Sequence, residues 1–251
     1  MASPGSSGGP PLRGSAEPGG PGGPPLRGSA ESGGAGGSPL RASTVPLARS
    51  PIPPAPPVTV LAGWEVSAVR AAGDLTLTDC TPLAKVLVRA PAGGLIAAGL
   101  GVPFGRAARD ASAVLVVGSG PGEWLLLAPA GRAAEVAGRL AGLASRAGDE
   151  LVSVVDVTHG RALMRLTGSR AAGVLAGVCG IDLSDAFTPD GAAFRSAVAA
   201  VATDVIRDDA GGVRSYLLHC ERSSGRYLFE SILSAGHDFG IEIDGFRVRG
   251  S

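Results

Sequence analysis

Beyond residue 58, short apolar runs of strand length alternate with segments of helical period. Residues 75–79 and 85–89 predict a strand pair, 94–100 a short helix, and 113–117 with 123–128 a second strand pair. The clearest helix spans 132–146, where Val136, Leu140 and Leu143 share one face while Arg132, Glu135 and Arg139 lie largely off it. The order then recurs: strands at 151–156 and 162–166, and a helix at 169–178 aligning Ala171, Val174, Leu175 and Val178. Strands at 194–201, 203–207 and 215–220 and a closing helix at 223–235 complete the pattern.

The two halves also match in letters. Asp79-Cys-Thr81 pairs with Asp156-Val-Thr158, the run from Gly94 to Val102 with that from Gly173 to Ile181, and Trp124-Leu-Leu126 with Tyr216-Leu-Leu218. These matches predict an α+β fold of two similar β-β-α-β-β-α units, about residues 75–147 and 151–240, inside a domain spanning 58–248. In the strand at 123–128, Trp124 and Leu126 share one face and Leu125 and Leu127 the other. A strand apolar on both faces is either sandwiched within its own chain or covered by another protein.

The first 58 residues differ in kind, holding fourteen of the twenty prolines and thirteen glycines, with almost no large apolar residue before Val45. Such a segment cannot bury enough surface to offset the entropy of ordering it, so residues 1–57 are expected to form a disordered Gly/Pro/Ser-rich arm. The arm repeats with a period of fourteen: the run from Gly8 to Glu17 returns unchanged from Gly22 to Glu31.

Charge and cysteine narrow the function. Formal net charge is zero, without the basic footprint of a nucleic-acid binder. Cys80, Cys179 and Cys220 are odd in number and lack a Cys-x-x-Cys pair, which predicts buried thiols in a reducing cytoplasm rather than disulfides or zinc. Neither a signal-peptide pattern nor an apolar run of membrane-spanning length stands out, and a cytoplasmic protein is expected. Lys85 is the only lysine, which in an Ala- and Gly-rich chain reflects base composition rather than function.

No chemical motif stands complete. Gly118-Ser-Gly-Pro-Gly122 lies between two strands with no helix opening behind it, so a hairpin turn is expected rather than a phosphate loop. Asp208-Asp209 followed by Ala210-Gly-Gly212 has the make-up of a hairpin loop. Of the histidines, His219 alternates within a strand and His237 follows the last helix; His159, directly after Asp156-Val-Thr158, is the one worth testing.

Four blocks carry a family resemblance: Gly120-Pro-Gly-Glu-Trp-Leu-Leu-Leu-Ala-Pro129, Val154-Val-Asp-Val-Thr-His-Gly-Arg161 through Gly168, Cys179-Gly-Ile-Asp-Leu183 with Phe187 and Gly191, and Glu221-Arg-Ser-Ser-Gly-Arg-Tyr-Leu228. In these residues and their order the chain resembles the gamma subunit of heterotetrameric sarcosine oxidase, a family similar in fold to the folate-binding aminomethyltransferases. The resemblance implies a non-catalytic subunit that binds no cofactor itself. The complex around it, with alpha, beta and delta subunits, uses FAD, FMN, NAD and tetrahydrofolate to oxidise sarcosine to glycine. It also implies folate-site analogues at Asp204 and His159, and a partner interface at Glu123, Trp124, Arg222 and Tyr227. Two departures stand out: the Gly-Gly that precedes the aminomethyltransferase aspartate is absent from Val201-Ala-Thr-Asp204, which weakens the site analogy, and the family's usual opening of the last helix is Arg222-Ser-Ser-Gly225 here, which weakens only the helix start. A free-standing folate-binding aminomethyltransferase-like protein and a non-enzymatic scaffold are the alternatives.

Overall fold

The duplicated order is present in the computed structural model, which describes residues 46–248. The chain runs β1 (Ala48–Arg49), β2 (Val58–Leu61), β3 (Trp64–Ser67), β4 (Thr76–Asp79), β5 (Ala84–Arg89), α1 (Leu95–Leu100), β6 (Ala107–Arg109), β7 (Leu115–Gly120), β8 (Glu123–Ala128), α2 (Ala133–Ala144), β9 (Ser153–Asp156), β10 (Arg161–Thr167), α3 (Ala171–Ala176), β11 (Ala193–Val198), β12 (Val201–Arg207), β13 (Ser215–Glu221), α4 (Gly225–Gly236) and β14 (Glu242–Asp244). From β4 to α2, and again from β9 to α4, the order is two strands, a helix, three strands and a helix.

The strands form two principal sheets, ordered β6-β7-β8-β5-β9 and β11-β12-β13-β10-β4-β14, and a small sheet β1-β3-β2. Each half leaves its opening strand in the other half's sheet. β4 pairs with β10, setting Asp79 opposite Met164, and β9 pairs with β5, setting Asp156 opposite Val86. The matched Asp-x-Thr motifs finish these exchanged strands. In each, the aspartate accepts the amide of the threonine two residues on, at 2.9 Å, which turns the chain. The threonine hydroxyl then accepts a backbone amide from the other half: Thr81 that of Leu163, Thr158 that of Lys85.

Four layers result. Apolar residues of α1 and α2 pack on the outer face of the first sheet, those of α3 and α4 on the outer face of the second, and the sheets meet through Leu115, Val117, Leu125, Leu127, Leu163, Ile206 and Leu217. Strand alternation is what lets one segment serve two layers: Val86 and Leu126 face the helices while Lys85 and Leu127 face the other sheet. Helix α2 buries Val136 and Leu140 as its periodicity predicts, and α1 ends where Gly101 turns left-handed with φ 64° and its amide bonds Ala97 O. Among the described residues no helix is long and apolar enough to cross a membrane.

The N-terminal boundary needs correction. Residues 46–57, expected to belong to the arm, are ordered on the body: β1 pairs with β3, and Ile52 is buried among Leu77, Met164 and Phe229 of the second-sheet core. One apolar anchor and a short strand suffice to order a proline-rich stretch, because proline leaves little chain entropy to lose. Residues 1–45, with the repeats, lie outside the described residues.

Candidate functional site

The layer between the sheets is where sequence-predicted and unpredicted site residues meet. Asp204 of β12 and His219 of β13 are directly opposed and, by alternation with Ile206 and Leu217, face into this layer. His219 Nδ1 lies 2.8 Å from Asp204 Oδ2, and Arg195 Nε donates to Asp204 Oδ1 at 2.6 Å. Arg195 comes from β11 and carries the network towards the surface, with Glu123 of the first sheet 3.9 Å away; Glu123 in turn accepts Arg89 Nε at 2.8 Å. A charge chain therefore runs Arg89, Glu123, Arg195, Asp204, His219, from one sheet to the other.

Its two buried members, Asp204 and His219, differ electrostatically. Burial works to raise the Asp204 carboxyl, but hydrogen bonds from His219 and Arg195 and their charges hold it below its ordinary value. Burial pushes His219 down, against the pull of Asp204 and with Lys85 and Arg161 adding to the effect. Burial therefore favours the neutral imidazole, whose Nδ1–H can then face the carboxylate, and among the described residues Nε2 has no partner.

Lys85, assigned above to base composition, is a structural participant in the same layer. It is 0% exposed, and its Nζ donates to the carbonyls of Thr81 at 2.7 Å and Leu83 at 2.8 Å. Burial lowers its pKa to about 7, although Asp79, Cys80 and Asp156 act to raise it.

The other candidates separate. His159 stacks on Trp64 with ring centroids 4.9 Å apart, outside the inter-sheet layer, and its carbonyl accepts Arg222 Nη1 at 3.4 Å. Arg222 Nη2 also donates to Arg49 O at 2.6 Å, tying the N-terminal segment down. Tyr227 stands exposed on α4. Trp124 is only 5% exposed, donates Nε1–H to Val102 O at 2.8 Å and packs with Leu126 and Val136. Both apolar faces of β8 are thus covered by this chain itself. The edge of Trp124 lines an open groove beside Phe104, which is 63% exposed.

The turn at 118–122 is a hairpin with a register shift between Gly118 and Gly120. In the second acidic turn Asp208 is bound by Arg109 and Arg165, and Asp209 by Arg207. Among the described residues no cluster of three His, Cys, Asp or Glu side chains is arranged to hold a metal.

Chemically, the site is closed. Both oxygens of Asp204 are occupied by its own chain, and the crevice it lines with Val117, Gly118, Phe194 and Ile206 measures about 10 Å³. That volume takes at most one water.

The comparisons agree with this architecture. A chain of heterotetrameric sarcosine oxidase from Corynebacterium sp. U-96, in complex with pyrrole 2-carboxylate, is similar over 68% of this chain and 88% of its own, with 26% identity and a TM-score of 0.57. The glycine cleavage system aminomethyltransferase T from Bartonella henselae is similar over 75% of this chain and 55% of its own, with 19% identity and a TM-score of 0.57, a likeness of fold alone. Curated proteins give no significant match. The family described as the GCVT N-terminal domain matches residues 109–251. With that match covering more than half of its length, the chain belongs to the GCVT N-terminal domain family, the aminomethyltransferase folate-binding fold.

Proposed function

We propose that this chain is the non-catalytic gamma subunit of a heterotetrameric sarcosine oxidase, supporting oxidative demethylation of sarcosine to glycine within a complex whose larger subunits hold the flavins, the dinucleotide and the folate. The observation that carries the reading is one of extent. The likeness takes in nearly the whole of the sarcosine oxidase chain, 88%, and only 55% of the aminomethyltransferase. The closed layer around Asp204 supports it, since a subunit that handles no one-carbon unit needs no open pocket there.

The test is copurification of the tagged chain from its own cells. A yellow complex containing larger polypeptides and forming peroxide with sarcosine is expected, with the isolated chain colourless and silent. Recovery of the chain alone, with stoichiometric tetrahydrofolate binding, would instead establish the second reading, a free-standing folate-binding protein, which the family membership favours.

A further inference from the structure

The duplicated fold builds its inter-sheet layer from matching rows, but their chemistry does not match. In the first sheet one row runs Leu115, Leu127, Lys85. In the second the corresponding row runs Asp204, His219, Leu163. The correspondence is fixed at both ends: Trp124-Leu-Leu-Leu127 matches Tyr216-Leu-Leu-His219, and Lys85 and Leu163 give their amides to the equivalent threonines. Lys85 therefore stands where the other half has leucine, and Asp204 and His219 stand where the other half has two leucines.

Three ionisable side chains thus interrupt these two rows, in a layer that also holds Cys80 and is otherwise mainly aliphatic. Among the described residues Lys85 meets two carbonyl oxygens and no carboxylate within hydrogen-bonding reach. Among the described residues His219 Nε2 has no hydrogen-bond partner, and the counter-ion at Nδ1, Asp204, is already shared with Arg195. We propose that this layer is a proton-operated seam: proton uptake by Lys85 and His219 loosens one sheet from the other, and the halves grip most tightly when both side chains are uncharged.

The surrounding charges set the direction. Facing Lys85 are Asp79, Cys80 and Asp156, which favour its proton, and Arg222, which opposes it. Facing His219 are Asp204, which favours the proton, and Lys85 and Arg161, which oppose it. Glu123 is taken up by Arg89 and Arg195. With Lys85 at about 7 in the fold and 10.5 as its ordinary value, the unfolded chain holds a proton that the folded chain lacks between those values. Stability therefore rises with pH across that window and is level in this respect below it. His219, lowered from 6.5, adds a fall in stability as pH drops below that value. Asp79, whose carboxyl is raised by burial, acts in the opposite sense, towards lower stability as pH rises above 3.8.

Because Lys85 is the only lysine, the full chain labelled with carbon-13 lysine gives one side-chain signal to titrate. A midpoint near 7 is expected, and one near the ordinary 10.5 would overturn the proposal. Hydrogen exchange supplies the structural readout. After correction for intrinsic rates, amides of β5, β10 and β13 should exchange about tenfold or more faster near pH 6 than near pH 9, the effect of roughly one unit of linked proton affinity. Lys85→Met should flatten the pH dependence above 7, and His219→Gln only that below 6.5, since glutamine keeps a donor for Asp204 and does not titrate. Equal acceleration in every element, or an unaltered slope in folded Lys85→Met, would show that the seam is not where protons act. If Lys85→Met does not fold, the lysine titration and exchange pattern of the wild-type chain decide.

Discussion

Thr81 and Thr158 hold the two halves together reciprocally: Thr81 Oγ1 accepts the amide of Leu163 at 3.2 Å, and Thr158 Oγ1 accepts the amide of Lys85 at 3.0 Å. Both hydroxyls are buried, and each follows an aspartate that has just turned the chain out of the partner half's sheet. The repeated Asp-x-Thr of the sequence is thus a paired joint.

Replacing either threonine by valine keeps the shape but leaves a buried amide without an acceptor. Each substitution is expected to lower unfolding stability by about 1–3 kcal/mol, read from the urea midpoint, whereas serine should retain most of it. A valine variant as stable as the parent would mean that the hydroxyl is not needed at the joint.

Trp124→Ala removes a core ring, with an expected loss of roughly 3–5 kcal/mol. Trp124→Phe keeps most of the packing but strands the Val102 carbonyl, at a cost of about 1–3 kcal/mol. Thermal or urea unfolding of the isolated chain distinguishes this from a purely interfacial tryptophan, for which both variants would unfold as the parent does.

Much of the fold was legible because strands buried on both faces and amphipathic helices leave plain patterns. Residues 85–89, 123–128 and 132–146 were found nearly to their ends. Short or weakly apolar strands were not. The three residues of β6 are two alanines and an arginine, and β1 to β3 sit in or beside a proline-rich segment. The apolar pattern puts the break between β11 and β12 at Ala202, whereas the chain turns at Ala199 and Ala200, with φ of 47° and 65°, and alanine gives no signal of such a turn. Of the site, Asp204 was named from resemblance. His219 and Lys85 give no such signal, since a polar residue at an inward position looks the same in sequence whether it is enclosed or solvated.

Two glycine substitutions should move stability in opposite directions. A Cβ on Gly118 would lie 2.2 Å from the Pro103 carbonyl oxygen, so Gly118→Ala must displace backbone and is expected to lose about 1–3 kcal/mol. A Cβ on Gly138, in exposed α2, meets nothing within 4 Å, and Gly138→Ala should gain about 0.5–1 kcal/mol. Melting temperatures of the two variants on either side of the parent are the expected result, and a stabilising Gly118→Ala would refute the close approach.

Burial pushes the Cys220 thiol up to about 11, with Glu221 adding to the effect. At about pH 8 the folded chain should leave Cys220 unalkylated over times that fully modify the unfolded chain, as mass spectrometry of the peptide would show. Rapid modification under native conditions would place this strand in an opening mode.

The exchange of β4 and β9 bears on ancestry. A single half, on its own, lacks the strand that completes its sheet, and two identical copies could satisfy each other only by trading their opening strands. Joined end to end, such a swapped homodimer would have this chain's topology, with the intersubunit boundary falling between Thr81 and Thr158. Within one chain the two units need not be identical, and one carries a lysine where the other has leucine.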